Sequence, residues 1–222
     1  MTRSSSIAEA RRRSPAAPTG SIHRIAPAPR SDEALLAGIA AGDRMAAAAL
    51  LDRYGPMVER LIRRILGHDP ELADLVHDAF ATILTSIHQV READAVKGWI
   101  AAVAAHTAHR AIRKRRASRW LCFWKWGADP LPEPSTEPPL GPRDALRRMY
   151  AALDKLPADE RVAFALRYID EMGVQEIASI CDVSAATIKR RLNRAERRFL
   201  AAAKGDAVLR GWIEEGDRWT DR

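Results

Sequence analysis

Cationic side chains crowd one short stretch of this 222-residue chain, at the spacing of a helix that meets an anion. From Val174 to Arg198 the sequence reads VQEIASICDVSAATIKRRLNRAERR. Ile188, Leu192 and Ala195 recur at helical spacing as an apolar stripe. Lys189, Arg190, Arg191, Asn193, Arg194, Arg197 and Arg198 cover the rest. Such groups break no bonds; they neutralise phosphate and, on a helix in a groove, meet base edges. Just upstream, Val174, Ile177, Ala178 and Cys181 give a shorter helix its apolar face, and small Ala178 allows a close crossing. Asp182 stands at the turn, where a left-handed backbone is tolerated, and Ser184 is placed to cap a second helix starting near Ala185. The stretch predicts a helix-turn-helix whose second helix enters a DNA major groove. A basic helix alone is more often a solvated face; small residue, turn, cap and amphipathic basic helix together favour DNA.

The histidines offer a different chemistry. His106 and His109 lie three apart on one helical stretch, compatible with a metal pair that His77 could join. No carboxylate lies in that local motif, and the chain has neither a phosphate-binding glycine loop nor a nucleophile beside a base. An enzyme or metal protein therefore stands as a rival reading only, and no catalytic residue, metal or cofactor is expected.

Net charge is +7 and the sequence pI about 9.9, which favours an acidic polymer as partner. The charge is clustered at Arg11 to Arg13, Arg110 to Arg119 and Lys189 to Arg198. Cys122 and Cys181 are the sole cysteines, far apart and without ligand neighbours, so a reducing compartment fits better than a disulfide framework. No apolar run reaches bilayer length, and no apolar segment follows the N-terminal arginines as in a secretory signal. The expectation is a cytoplasmic protein without membrane insertion.

The elements that must position these groups read as helices throughout. The expected fold is all-α: two helical domains joined by a Pro-rich linker, the second a helix-turn-helix. Residues 1–30, rich in Ser, Ala, Pro and Arg, read as a disordered basic arm. The first domain, 31–116, opens with Asp32 and Glu33 in a helical first turn. A break or kink is expected at Gly55-Pro56, and a strong stripe follows from Met57 to Leu66. The next helix covers roughly Glu71 to Gln89, and Trp99 opens the last one, which ends in RAIRKRRASR. The density of charge there exceeds what a helix C-terminus needs and points to phosphate. Residues 117–142 form the linker, first the aromatic WLCFWKW and then six prolines that favour extended chain. The second domain spans 143–204, and 205–222 is a tail with a short helix around Val208 to Ile213.

Several motifs coincide, in order, with one family. ADLVHDAF (Ala73 to Phe80), KGWIAAVAAHTAHRAIRKRR (Lys97 to Arg116) and LPADERVAFALRYIDEMGVQEIASICDVSAATIKRRLNRA (Leu156 to Ala195) resemble bacterial RNA polymerase sigma factors of the extracytoplasmic-function (ECF) type. The resemblance covers about Asp32 to Ala203. It implies that the first domain docks on core RNA polymerase through Asp74, His77 and Asp78. It further implies that the last helix of that domain contacts the −10 element and holds an open strand, with Trp99, His106, Arg110, Arg113 and Lys114 as candidates. The C-terminal domain would read the −35 element, with Ser184, Thr187, Lys189, Arg190, Arg191 and Arg194 nearest the DNA. Core polymerase and promoter DNA are the implied partners, and an anti-sigma protein is a third. Where the family usually has Gln, Glu, Asn and Gly, this chain has His77, Asp78, His106 and Asp182. A DNA-binding regulator that kept the fold but lost polymerase docking is the alternative.

Overall fold

The computed structural model describes residues 31–126 and 142–210, with side chains over 31–120 and 143–210. The basic arm, the Pro-rich segment, the end of the tail and the aromatic side chains past Trp120 lie outside the described residues.

Eight α-helices carry the described chain: α1 (Asp32–Ala40), α2 (Arg44–Leu66), α3 (Leu72–Ser86), α4 (Val96–Trp126), α5 (Pro142–Leu153), α6 (Ala158–Phe164), α7 (Val174–Ile180) and α8 (Ala185–Lys204). Single 3-10 turns at Ile87–Gln89 and Ala93–Ala95 join α3 to α4, and α6 widens into a π-turn over Ala165–Ile169. There is no strand among the described residues. The all-α expectation is met.

Local chemistry explains most of the boundaries. Ser31 Oγ accepts from the Ala34 amide at 3.2 Å, and Asp43 Oδ1 accepts from the Met45 amide at 2.8 Å, so α1 and α2 each start on a capping oxygen. Asp32 also accepts from the Tyr54 hydroxyl at 2.8 Å and from Arg53 Nη1 at 2.9 Å, tying α1 to α2. Burial and that carboxylate push the Tyr54 hydroxyl up to about 12.

Two expectations need correcting here. The break at Gly55-Pro56 does not occur, for α2 runs uninterrupted through both residues. Pro56 lies on the exposed side of the helix, while Leu50, Tyr54, Val58, Leu61, Ile62 and Ile65 are buried along the other side. An interior proline costs about 3 kcal/mol; each buried leucine or isoleucine contributes roughly 1.5–3 kcal/mol. The stripe on both sides of the proline outweighs it. Secondly, α4 does not stop at 116 but continues to Trp126, so the aromatic run begins as helix and the Pro-rich part alone remains to bridge the domains.

α2 packs on α1, α3 and α4, and α6 to α8 pack around one another in the C-terminal half. The two halves also share one core. Leu61, Ile65, Ala104, Ala105 and Ala108 from the first half belong to the same buried apolar cluster as Ala158, Val162, Ala163, Leu166, Ile177 and Ile180 from the second. A smaller cluster of Leu153, Leu156, Phe164, Ala195, Phe199 and Ala203 belongs to the second half alone.

Polar contacts reinforce the seam. Arg161 is 4% exposed and donates from Nε to the Ile65 carbonyl and from Nη2 to the Leu66 carbonyl, both at 2.9 Å, while Nη1 pairs with Asp154. A buried guanidinium is tolerable when its donors are satisfied, and here the last carbonyls of α2 do much of that. The Tyr150 hydroxyl donates to the Arg64 carbonyl at 3.0 Å, and its ring lies over Gly67. A Cβ at Gly67 would come within 2.6 Å of that ring, and φ is +80° there. Only glycine combines that backbone with that approach. Arg64 pairs with buried Asp170, and Arg116 Nη1 donates to the Leu156 carbonyl at 2.8 Å.

Candidate nucleic-acid interface

The helix-turn-helix forms as its residues dictate. α7 ends at Cys181, Asp182 adopts φ +50°, and the Val183 amide returns to the Ala178 carbonyl at 3.0 Å. Ser184 Oγ then accepts from the Thr187 amide at 3.2 Å and caps α8. Ile188, Leu192 and Ala195 are buried, so the cationic side of α8 is fixed in rotation. Lys189, Arg190, Arg194, Arg197 and Arg198 are exposed, as is Ser184. Arg190 Nη2 donates to Thr187 Oγ1 at 3.1 Å, which steadies it near the N-terminal end of the helix. Arg194 and Arg198 reach back at 3.4 and 3.1 Å to Glu160, a carboxylate 5% exposed on α6.

α4 sorts its basic run into two groups. Arg115 turns to Asp69 and Glu71, which hold its guanidinium charged above its ordinary range, and Arg116 turns to the Leu156 carbonyl. Arg110, Arg113 and Lys114 remain exposed. Trp99, in the first turn region of α4, is half-buried against the core. His106 is exposed, yet partial burial, then His109 and Arg110, hold its imidazole below the ordinary 6.5, against Asp182, which raises it.

The candidates do not form one surface. Asp74, His77 and Asp78 are all exposed on one side of α3, whose other side buries Ala79, Phe80 and Ile83. The α4 and α8 candidates, by contrast, meet. His106 and Arg191 line one cavity of about 150 Å³ together with Ala105, His109, Asp159, Val162, Ile180 and Cys181. Asp159 sits between the helices: Oδ1 accepts from His109 Nε2 at 2.6 Å, and Oδ2 from Arg191 Nη2 at 3.3 Å. Arg191 is only 18% exposed in consequence. Burial pushes the Cys181 thiol up to about 11, so it is a thiol and not a thiolate at neutral pH. No group of three or more His, Cys, Asp or Glu gathers as a metal site among the described residues.

Sequence reasoning missed Asp159, Asp170 and Arg161. Asp159 reads as an ordinary first-turn acid of α6, and nothing local announces a partner 50 residues upstream.

A two-part helical body with a capped, cationic helix-turn-helix defines a transcription factor that engages promoter DNA with a larger partner, and comparison with known proteins agrees. The Sigma-70 region 2 model matches residues 50–118, and the Sigma-70, region 4 model matches 146–199. The ECF RNA polymerase sigma factor SigW of Bacillus subtilis (strain 168) is 27% identical over 161 residues, covering 69% of this chain and 86% of SigW. The ECF RNA polymerase sigma-E factor of Escherichia coli (strain K12) is 29% identical over 175 residues, covering 74% and 90%. Among solved structures, CnrH in complex with the cytosolic domain of CnrY superposes with a TM-score of 0.54 at 21% identity, over 79% of this chain and 99% of that one. The sigma factor RpoE in complex with the anti-sigma factor NepR from Bartonella quintana gives 0.50 at 22% identity, over 70% and 95%. The chain belongs to the ECF sigma factors of the sigma-70 family. It binds RNA polymerase and directs it to promoters, and the region 2 match leaves the stand-alone regulator unfavoured.

Proposed function

We propose a division of labour among three helices. α3 docks on core polymerase through Asp74, His77 and Asp78. α8 reads the −35 duplex through Ser184, Thr187, Lys189, Arg190, Arg191 and Arg194. α4 contacts the −10 element and stabilises its open strand through Trp99, His106, Arg110, Arg113 and Lys114. The units are those expected from the sequence, 31–116 for polymerase and −10 contacts and 143–204 for −35 contacts.

The observation that carries this reading is the Ser184-capped α8 behind a left-handed Asp182, its apolar side buried and Lys189, Arg190 and Arg194 outward. Phosphate contacts set the register, and a few side chains on base edges specify the sequence. The mechanism is binding without bond chemistry, carried out in the cytoplasm beside polymerase and DNA. No described helix is long and apolar enough to cross a membrane. CnrH and RpoE were solved with the cytosolic domain of CnrY and with the anti-sigma factor NepR, which supports an anti-sigma protein as a partner here too.

Run-off transcription with purified core polymerase on a library of genomic fragments tests the proposal. Discrete transcripts that need this chain, and that disappear on Lys189→Ala with Arg190→Ala, are expected. Transcripts unchanged by that double substitution would remove α8 from promoter reading.

A further inference from the structure

Part of the surface assigned to DNA is turned inward. Asp159, on α6, spends both carboxylate oxygens on cations from two helices meant for promoter DNA, His109 on α4 and Arg191 on α8. We propose that the free chain is latched shut, with the Asp159 carboxylate standing between α4 and α8 where DNA phosphate would otherwise be met. This rests on the reading of α4 and α8 as promoter helices.

Three observations carry it. The first is distance. DNA sites even one helical turn apart are separated by about 34 Å. Here a single carboxylate touches both helices, so the closed chain cannot engage two promoter elements together. The second is exchangeability. The Asp159 side chain is 50% exposed, and ion pairs in contact with solvent are weak and screened. A run of phosphates can displace such a carboxylate, whereas a buried pair would resist. The third is that closure has support away from the DNA helices. Arg161 on the α2 carbonyls, Tyr150 over Gly67 and Arg64 on Asp170 hold the halves together at the end of α2. The seam therefore persists without DNA, and Asp159 decides what its open end exposes.

The experiment places spin labels at Thr85→Cys on α3 and Ala201→Cys on α8, both exposed positions, in a Cys122→Ser, Cys181→Ser background, and measures their separation. The free full-length chain is expected to give one narrow, short distance, and core polymerase to add a longer one. Asp159→Ala without polymerase should raise the long-distance share roughly three- to tenfold, the scale of one or two exposed ion pairs. Because removing an acid also favours DNA nonspecifically, Gly67→Ala serves as a charge-neutral wedge: its methyl meets the Tyr150 ring, and it too should populate the long distance. An unchanged distance on polymerase binding would overturn the latch, as would wild-type distributions in both variants. Tighter DNA binding by Asp159→Ala at an unchanged distance would overturn it as well, leaving the promoter reading intact. Opening with polymerase but no factor-dependent transcript would keep the latch and remove the promoter reading instead.

Discussion

α3 and α8 both present charged side chains to a partner, yet they stand differently in the fold. On α3 the polymerase-docking candidates Asp74, His77 and Asp78 are all exposed. On α8 the exposed cations share their helix with Arg191, which is held against Asp159 at the joint between the halves. One surface is ready for its partner; the other is partly committed to the chain itself. The difference implies an order: polymerase first, promoter second.

The largest effect should come from the joint itself. Arg161→Ala leaves the Ile65 and Leu66 carbonyls and Asp154 without their donor. Breaking one partner of a buried charged network costs about 3–5 kcal/mol. Urea melts should show that loss, and a change under 1 kcal/mol would mean that the halves do not depend on this contact. On the open side, replacing Asp74, His77 and Asp78 together by alanine should weaken core polymerase binding at least tenfold. Stability should move little, since exposed substitutions typically change it by about 0.5 kcal/mol or less each. Pull-down titration beside thermal melts separates the two. Equal losses in binding and melting would make α3 a structural element only.

Smaller effects sharpen the DNA side. Lys189→Ala should weaken promoter binding by the holoenzyme about equally across sequences and lower the salt slope by about 1. A sequence-selective loss would make Lys189 a base reader. The smallest effect concerns His106, whose imidazole is held below 6.5 chiefly by burial, with His109 and Arg110 adding and Asp182 opposing. A depressed histidine favours the folded chain while neutral, so its contribution is present above pH 6.5 and declines as pH falls toward its lower folded value. His106→Asn should flatten that part of the stability profile between pH 7.5 and about 5.5. Parallel profiles for the two proteins would deny His106 any part in it.

Much of this was legible in the sequence. The Asp182 turn, the Ser184 cap and the buried stripe of α8 are consequences of neighbours a few residues apart, and local chemistry decides them. The uninterrupted α2 was not legible, because the gain from burying Tyr54 and Val58 around Pro56 belongs to tertiary packing. The candidate site divides in the same way. That Arg113 and Lys114 point outward while Arg115 and Arg116 turn to Asp69, Glu71 and Leu156 depends on segments up to 46 residues away. The closed joint is hidden for the same reason: Arg161 meets the Ile65 carbonyl across 96 residues, and each end looks ordinary by itself.

The most direct test of the account is the anisotropy of a fluorescent promoter duplex, titrated with the free chain and with preassembled holoenzyme at one salt concentration. The account predicts weak binding by the free chain and tight, sequence-selective binding by the holoenzyme. Equal, tight binding by both would contradict it, since the closed joint would then withhold nothing from DNA.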